Sequence, residues 1–194
     1  MTTSTICELA DYPKDITLRD NTIVVLKPMT QEDTGPLLHF FVGVPEADRH
    51  YLKEDITSPQ VVQRWAAELD YDRALPLLAW IGNRVVADAT LHRNRAGARR
   101  HVGELRILVD QEYRNRGLGT TLIRELVNIA EDHGLERLLF VAVADKEEPA
   151  IKAARFLGFE QIGVLRSHAK DPDGHPRDLV IMEMPLGRAI ESAF

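Results

Sequence analysis

Cysteine is nearly missing from this sequence. Cys7 is the only one, so no disulfide can close within the chain. That usage fits a reducing compartment, and the cytoplasm is the expected location. Long apolar runs are missing too. No stretch approaches the ~20 apolar residues that cross a bilayer, so no membrane is expected as a partner. The start, MTTSTICELADYPKD, has no basic segment followed by an apolar run and does not read as a signal peptide. Positive charge is in deficit. With 24 Lys and Arg against 30 Asp and Glu, the net charge of −6 argues against nucleic acid as a partner. His92, His168 and His175 have no metal-ligand spacing with a cysteine or an acid, so no metal is expected. Neither a Gly-x-x-x-x-Gly-Lys-Ser/Thr loop nor a Gly-x-Gly-x-x-Gly run occurs. That excludes the common nucleotide triphosphatases and Rossmann dehydrogenases.

What is present is an ordinary globular composition, 44% hydrophobic and 28% charged over 194 residues. A chain of this size buries roughly 70% of its unfolded surface, enough for one full core. The expected organisation is a loose arm over residues 1–15 and a single domain over 16–194. "TIVVLKPM" reads as a strand, and "TQED" after it as a helix-capping box with Asp33 as the returning acid. "TSPQVVQRWAAELD" reads as a helix capped by Ser58, with Pro59 in its first turn. "LPLLAWIG" and "RVVADATLH" read as a hairpin turning at Gly82 and Asn83. "VGELRILV" is a further strand. Leu118, Leu122, Leu126 and Ile129 then share a helical stripe that stops at Gly134. "LERLLFVAVA" is a near-continuous apolar strand, "EPAIKAARFLGF" a short helix, and the last segment a hairpin around Asp-Pro-Asp-Gly. The order predicts a mixed α/β domain with one sheet.

The stretch EYRNRGLGTTLIRELV carries the chemistry. The start of a helix exposes backbone N–H groups and about half a positive charge. Glycines let a ligand approach that backbone, and Arg114 and Arg116 add cationic forks. Together they suit a di-anion such as a pyrophosphate, although Arg-x-x-Gly-x-Gly alone is a weak signal against an ordinary surface arginine pair.

This segment resembles the acetyl-CoA-binding loop of the GNAT superfamily of N-acetyltransferases, through Arg114, Gly117 and Gly119. The strand GELRILV and the segment ending at Gly158 and Phe159 also match in register, and the element order agrees from about Thr22 to Leu186. The resemblance implies an α/β GNAT fold, with one mixed, mostly antiparallel sheet flanked by helices. The sheet would splay between GELRILV and LERLLFVAVA. It implies acetyl-CoA as cosubstrate. Its pyrophosphate would be held by the backbone of Arg114, Asn115, Arg116, Gly117, Leu118, Gly119 and Thr120. Its pantetheine arm would lie along Ile107, Leu108 and Val109, with a backbone N–H near Leu108 available to the oxyanion. The catalytic base would be Glu104, unless Glu104 merely pairs with Arg106. The acceptor would be a primary amine, on a protein lysine as in bacterial protein-lysine acetyltransferases or on a small molecule. The chain would act as a monomer or homodimer.

The sequence also departs from the family pattern. Glu147 and Ala154 stand where many members have an Asn and a Tyr, so the usual acid for the leaving thiolate is absent. This keeps a non-catalytic acyl-CoA-binding module as the alternative. Asp145, Glu147 and Glu148 read either as recognising a cationic acceptor or as an acidic first helical turn. Arg93, Arg95, Arg99 and Arg100 read as a solvated loop, and Trp65 and Trp80 as core.

Overall fold

The computed structural model describes residues 9–187. Among them, eight strands form one sheet in the order β1-β2-β3-β4-β5-β6-β8-β7. The strands are β1 (Lys14–Thr17), β2 (Ile23–Pro28), β3 (Ala74–Ile81), β4 (Arg84–Arg93), β5 (Val102–Val109), β6 (Arg137–Val143), β7 (Glu160–Lys170) and β8 (Pro176–Pro185). Every neighbouring pair is antiparallel except β5 with β6, which is the pair joined by a long helical crossover. The helices are α1 (Thr34–Gly43), α2 (Glu46–Arg49), α3 (Pro59–Ala67), α4 (Leu118–Asp132) and α5 (Glu148–Phe156). No described helix is long and apolar enough to cross a membrane.

Local chemistry explains the element boundaries. Thr30 donates its N–H and its hydroxyl to Asp33 at 2.8 and 3.0 Å, closing the turn that opens α1. Ser58 precedes Pro59 at the start of α3 as the sequence suggests, but its hydroxyl turns to Gln60 rather than to the helix backbone. The β3–β4 hairpin turns at Gly82, which takes φ +56°.

Side-chain alternation on the sheet separates two cores. Ala87, Ala89 and Leu91 of β4 pack with Leu118, Leu122 and Leu126 of α4, and Phe159 and Ala154 join the same cluster. On the other face, Leu78, Trp80 and Val85 pack with Leu37, Phe40 and Phe41 of α1 and Val62 of α3.

Some expectations need correction. The strand β1 begins at Lys14, inside the stretch read as a loose arm; residues 1–8 of that stretch, and residues 188–194 of the expected domain, lie outside the described residues. This edge strand is pinned by the buried Glu125 of α4, which accepts from Lys14 Nζ at 2.8 Å and from the Tyr12 hydroxyl at 3.0 Å. Trp65 is only partly buried and gives its indole N–H to Glu54 at 2.6 Å. Arg93 is no loop residue. It ends β4 and donates to the Tyr71 carbonyl and to Asp72. Ala154 is fully buried, so no open space replaces the missing tyrosine.

Candidate active site

The sheet opens where the sequence placed a splay. β5 pairs with β4 from Gly103 to Val109, but with β6 only from Val102 to Leu105. Beyond that point Val141–Val143 pair with β8 alone. Among the described residues, Arg106, Ile107, Leu108 and Val109 therefore have no strand neighbour on one side.

Hydrogen-bond alternation decides which of these groups are free. Asp110 gives its N–H to Val86, on the β4 side. Donors two residues apart on a strand point the same way, so the N–H of Leu108 also turns to β4. The N–H groups of Ile107 and Val109 are left facing the opening. The sequence reading expects an oxyanion donor near Leu108, and the N–H groups beside it that face the opening are those of Ile107 and Val109. On the far wall, Ala144 gives its N–H to Asp178 on β8, which turns that of Val143 toward the opening. There Glu147 accepts it at 2.6 Å. Burial, reinforced by the charge of Asp48, pushes the Glu147 carboxyl up, and the bond from Val143 only partly offsets this.

At the mouth of the opening the chain turns through a short 3-10 turn, Gln111–Tyr113, and enters α4. Gly117 precedes the helix at φ +93°, where other residues are strained, and no side chain caps the helix start. A Cβ on Gly119 would meet only the Val109 side chain, at 4.0 Å, so the loop backbone is open to a ligand.

The cations around this mouth are more numerous than the motif suggested, and most are engaged. Arg114 donates to the Val109 carbonyl at 2.9 Å and to Asp48 of α2 at 2.8 Å. Lys146, just beyond β6, reaches the other Asp48 oxygen at 2.9 Å. Burial alone would raise the Asp48 carboxyl, but the bonds and charges of Lys146 and Arg114 outweigh it and hold it below the usual range. Asp48 thus bridges the two sides of the opening. Arg116 pairs with Asp20 at 2.7 Å and lies over the Tyr113 ring. Arg19, from the β1–β2 turn, passes 3.5 Å from where a Gly117 Cβ would stand. The sequence reading missed Arg19 and Asp48 because only folding brings them to the loop.

Beside the opening lies a cavity of about 820 Å³. Its apolar wall comes from Met29, Leu37, Phe41, Ile56 and Trp65. Its floor is the sheet, with Asp88, Thr90 and His92 from β4 against Leu108, Arg106 and Glu104 from β5. Glu104 accepts from Arg106 at 3.1 Å, and Lys53 stands 3.9 Å from it. Burial pushes the Glu104 carboxyl up, yet these cations more than reverse it and hold it below its ordinary value. His92 is pushed down by burial and by Arg106, so it is neutral at pH 7. Asp88 behaves oppositely to Glu104. Burial pushes it up to about 6, with only the Thr90 hydroxyl, 3.1 Å away, pulling it back. A charged residue inside an apolar strand is a signal the sequence did offer.

Asp145, Glu147 and Glu148 do not line the cavity. Asp145 pairs with Arg177 and Glu148 with Lys152. His175 does have acidic neighbours, contrary to the sequence reading. Asp171, Asp173 and His175 gather in the β7–β8 turn, but Arg177 already holds Asp171 at 2.8 Å.

A family model described as "Acetyltransferase (GNAT) family" matches residues 43–159. The chain belongs to this family. Among solved structures, the GNAT domain of S. lividans PAT superposes with a TM-score of 0.74 at 24% identity, covering 91% of this chain and 98% of that one. Mycobacterium smegmatis RimJ in complex with CoA-disulfide gives 0.68 at 19% identity, covering 90% and 88%. Two curated relatives from Escherichia coli (strain K12) are each 31% identical. One is "L-amino acid N-acetyltransferase AaaT", matched over 48% of this chain and 57% of its own length. The other is "[Ribosomal protein bS18]-alanine N-acetyltransferase", matched over 41% and 53%. The chain thus spans a little over half the length of these relatives. The GNAT family uses acetyl-CoA, and the residues of this opening fit that molecule. Open N–H groups line the gap beside β5, and a bare, cation-ringed helix start stands at the mouth.

Proposed function

We propose that this GNAT chain transfers an acetyl group from acetyl-CoA to a primary amine that enters the 820 Å³ cavity. The observation that carries this reading is the loss of β6 pairing beyond Leu105, followed at once by an uncapped glycine-bearing helix start. The acyl arm would lie along β5, its carbonyl facing the N–H of Ile107 or Val109. The backbone from Arg114 to Thr120, including Asn115 and Leu118, would hold the pyrophosphate. The amine would approach from the cavity face, between the apolar wall and the sheet. The cavity lies within the usual size of a small-molecule site. An amino-acid-sized amine or the end of a polypeptide suits it, in line with the acceptors in the names of the two relatives; a protein lysine is the other candidate.

A second reading, an acyl-CoA-binding module without turnover, is favoured by Ala154 in place of a tyrosine. One experiment separates the two. Acetyl-CoA affinity is measured by calorimetry, and thiol release is followed with L-amino acids, lysine peptides, N-terminal peptides and polyamines. Binding with thiol release on at least one amine is expected. Binding without release across the whole panel would leave only the module, and no binding would remove both readings.

A further inference from the structure

We propose that Asp88, rather than Glu104, accepts the proton from the attacking amine. This rests on the amine-transfer reading above and adds the residue that makes it run at neutral pH.

The sheet register carries the inference. Asp88 and Leu108 are cross-strand partners, so Asp88 sits one strand spacing, about 4.8 Å, from the segment whose flanking N–H groups face the opening. Its side chain lines the cavity, and Thr90 is its only hydrogen-bond partner among the described residues. Glu104 lies on the same face, but four residues back along β5 from Leu108, roughly 13 Å. Arg106 stands between them and donates to it. A base has to reach the proton directly or through one water. Asp88 stands at the level of Ile107–Val109 with β5 between it and the opening, so its path to an amine in the cavity runs over Leu108 and through a water; Glu104 is farther along the strand and occupied.

The chemistry points the same way. An alkylammonium has to lose a proton before its nitrogen can attack, and a carboxylate accepts it better as its pKa approaches the working pH. Two acids in one site with environments that push them apart divide the roles between them. Glu104, held down by Arg106 and Lys53, is the permanent anion that keeps these cations in place. Asp88, pushed up by burial, is the exchangeable one. The charged or titratable groups that share its cavity are Glu104 and Arg106 from β5, His92 and Arg93 from β4, Arg95 after it, Lys53 and Glu54 from the segment after α2, and Glu68, Asp70 and Arg73 between α3 and β3. None of them contributes to its shift. In the step, the ammonium N–H breaks and its proton passes to an Asp88 oxygen. The nitrogen lone pair forms the N–C bond to the acetyl carbon, and the C–S bond breaks with its electrons on sulfur. The second amine proton goes to the thiolate through solvent, and Asp88 returns its proton to water.

The test compares Asp88→Asn, Asp88→Glu and Glu104→Gln on the best amine of the panel and on hydroxylamine, which is already free base at pH 7. Asp88→Asn should keep acetyl-CoA affinity, which also reports folding, and lose about 10²–10⁴-fold in turnover on the alkylamine. Hydroxylamine should restore most of that loss, and Asp88→Glu part of it. The wild-type rate should rise through a pH of about 6, a limb absent from Asp88→Asn. Glu104→Gln should raise KM more than it lowers kcat. Wild-type turnover by Asp88→Asn, or the rescuable defect appearing in Glu104→Gln instead, overturns the assignment. Release of no thiol by the wild type on any amine overturns the amine-transfer reading and this inference with it.

Discussion

Gly117 and Gly119 stand two positions apart and serve different physical needs. At φ +93°, Gly117 is required by the backbone itself, so its replacement would strain the loop whatever binds there. Gly119 is helical, with room for a side chain beside Val109, so its replacement probes the ligand rather than the fold. An aspartate there sits well at a helix start but repels an incoming phosphate. Gly119→Asp should therefore keep its melting temperature and lose acetyl-CoA affinity on the order of 100-fold, about 2.7 kcal/mol. Calorimetry showing unchanged affinity in that variant would remove the loop from the cofactor site. Two arginines near the loop separate by their partners. Arg116 already shares Asp20, whereas Arg19 is exposed and carries no ion pair among the described residues. Arg19→Ala should weaken coenzyme A binding more than Arg116→Ala does, and the difference should shrink in high salt as screening takes over. Equal losses at every ionic strength would show that Arg19 plays no electrostatic part.

The elements that were legible in the sequence are those long enough to show a period. The stripe of α4, the β3–β4 hairpin and the apolar β6 repeat their pattern over several turns or alternations, and each stands where it was expected. β1 and α2 have four residues each, too few for periodicity to register. Their places are fixed by distant partners, Glu125 for β1 and the Arg114–Lys146 pair for α2. The candidate site divides the same way. The loop from Arg114 to Thr120 was visible as a local motif, and Glu104 was visible by likeness. Asp48, Arg19 and the isolation of Asp88 depend on contacts between segments far apart in sequence. α2 therefore has a functional consequence that only the fold reveals. In the proposed cofactor site, Asp48 pairs with the cations Arg114 and Lys146 that a coenzyme A phosphate would otherwise meet, so binding there would have to displace it or share them. Asp48→Asn keeps the shape and removes the charge. It should tighten coenzyme A binding about 3–10-fold at low salt, with the gain fading as salt rises. A weaker affinity in Asp48→Asn would mean instead that the carboxylate holds Arg114 in its binding position.

The whole molecule keeps an ionisable acid at the base of its cavity, and that choice has to show in its stability. The sign follows from where protons bind. Asp88 titrates near 6 in the fold and near 3.9 in an unfolded chain. Between those values the native state holds more protons than the unfolded one, so this group's contribution to stability falls as pH rises from about 4 to about 6. Glu147, also raised, acts in the same sense. Asp33, Asp48 and Asp171 act oppositely. Their lowered values give stability that is present above about 4 and is lost as pH falls through their folded values, which for Asp171 is about 2. The wild-type profile mixes these windows, but a difference between two proteins isolates one of them. Asp88→Asn has nothing to ionise. Its stability relative to wild type should be flat below about pH 4, grow between 4 and 6, and level off above 6 with the variant ahead by on the order of 2 kcal/mol or less. Urea midpoints at matched ionic strength across pH 4–8 measure this directly. A difference that does not change with pH would mean that Asp88 is solvated like any surface carboxylate, and the argument for it as the exchangeable acid would lose its physical basis. A pH-dependent gain in stability alongside lost turnover would show a fold that gives up stability to hold a proton acceptor beside its open strand.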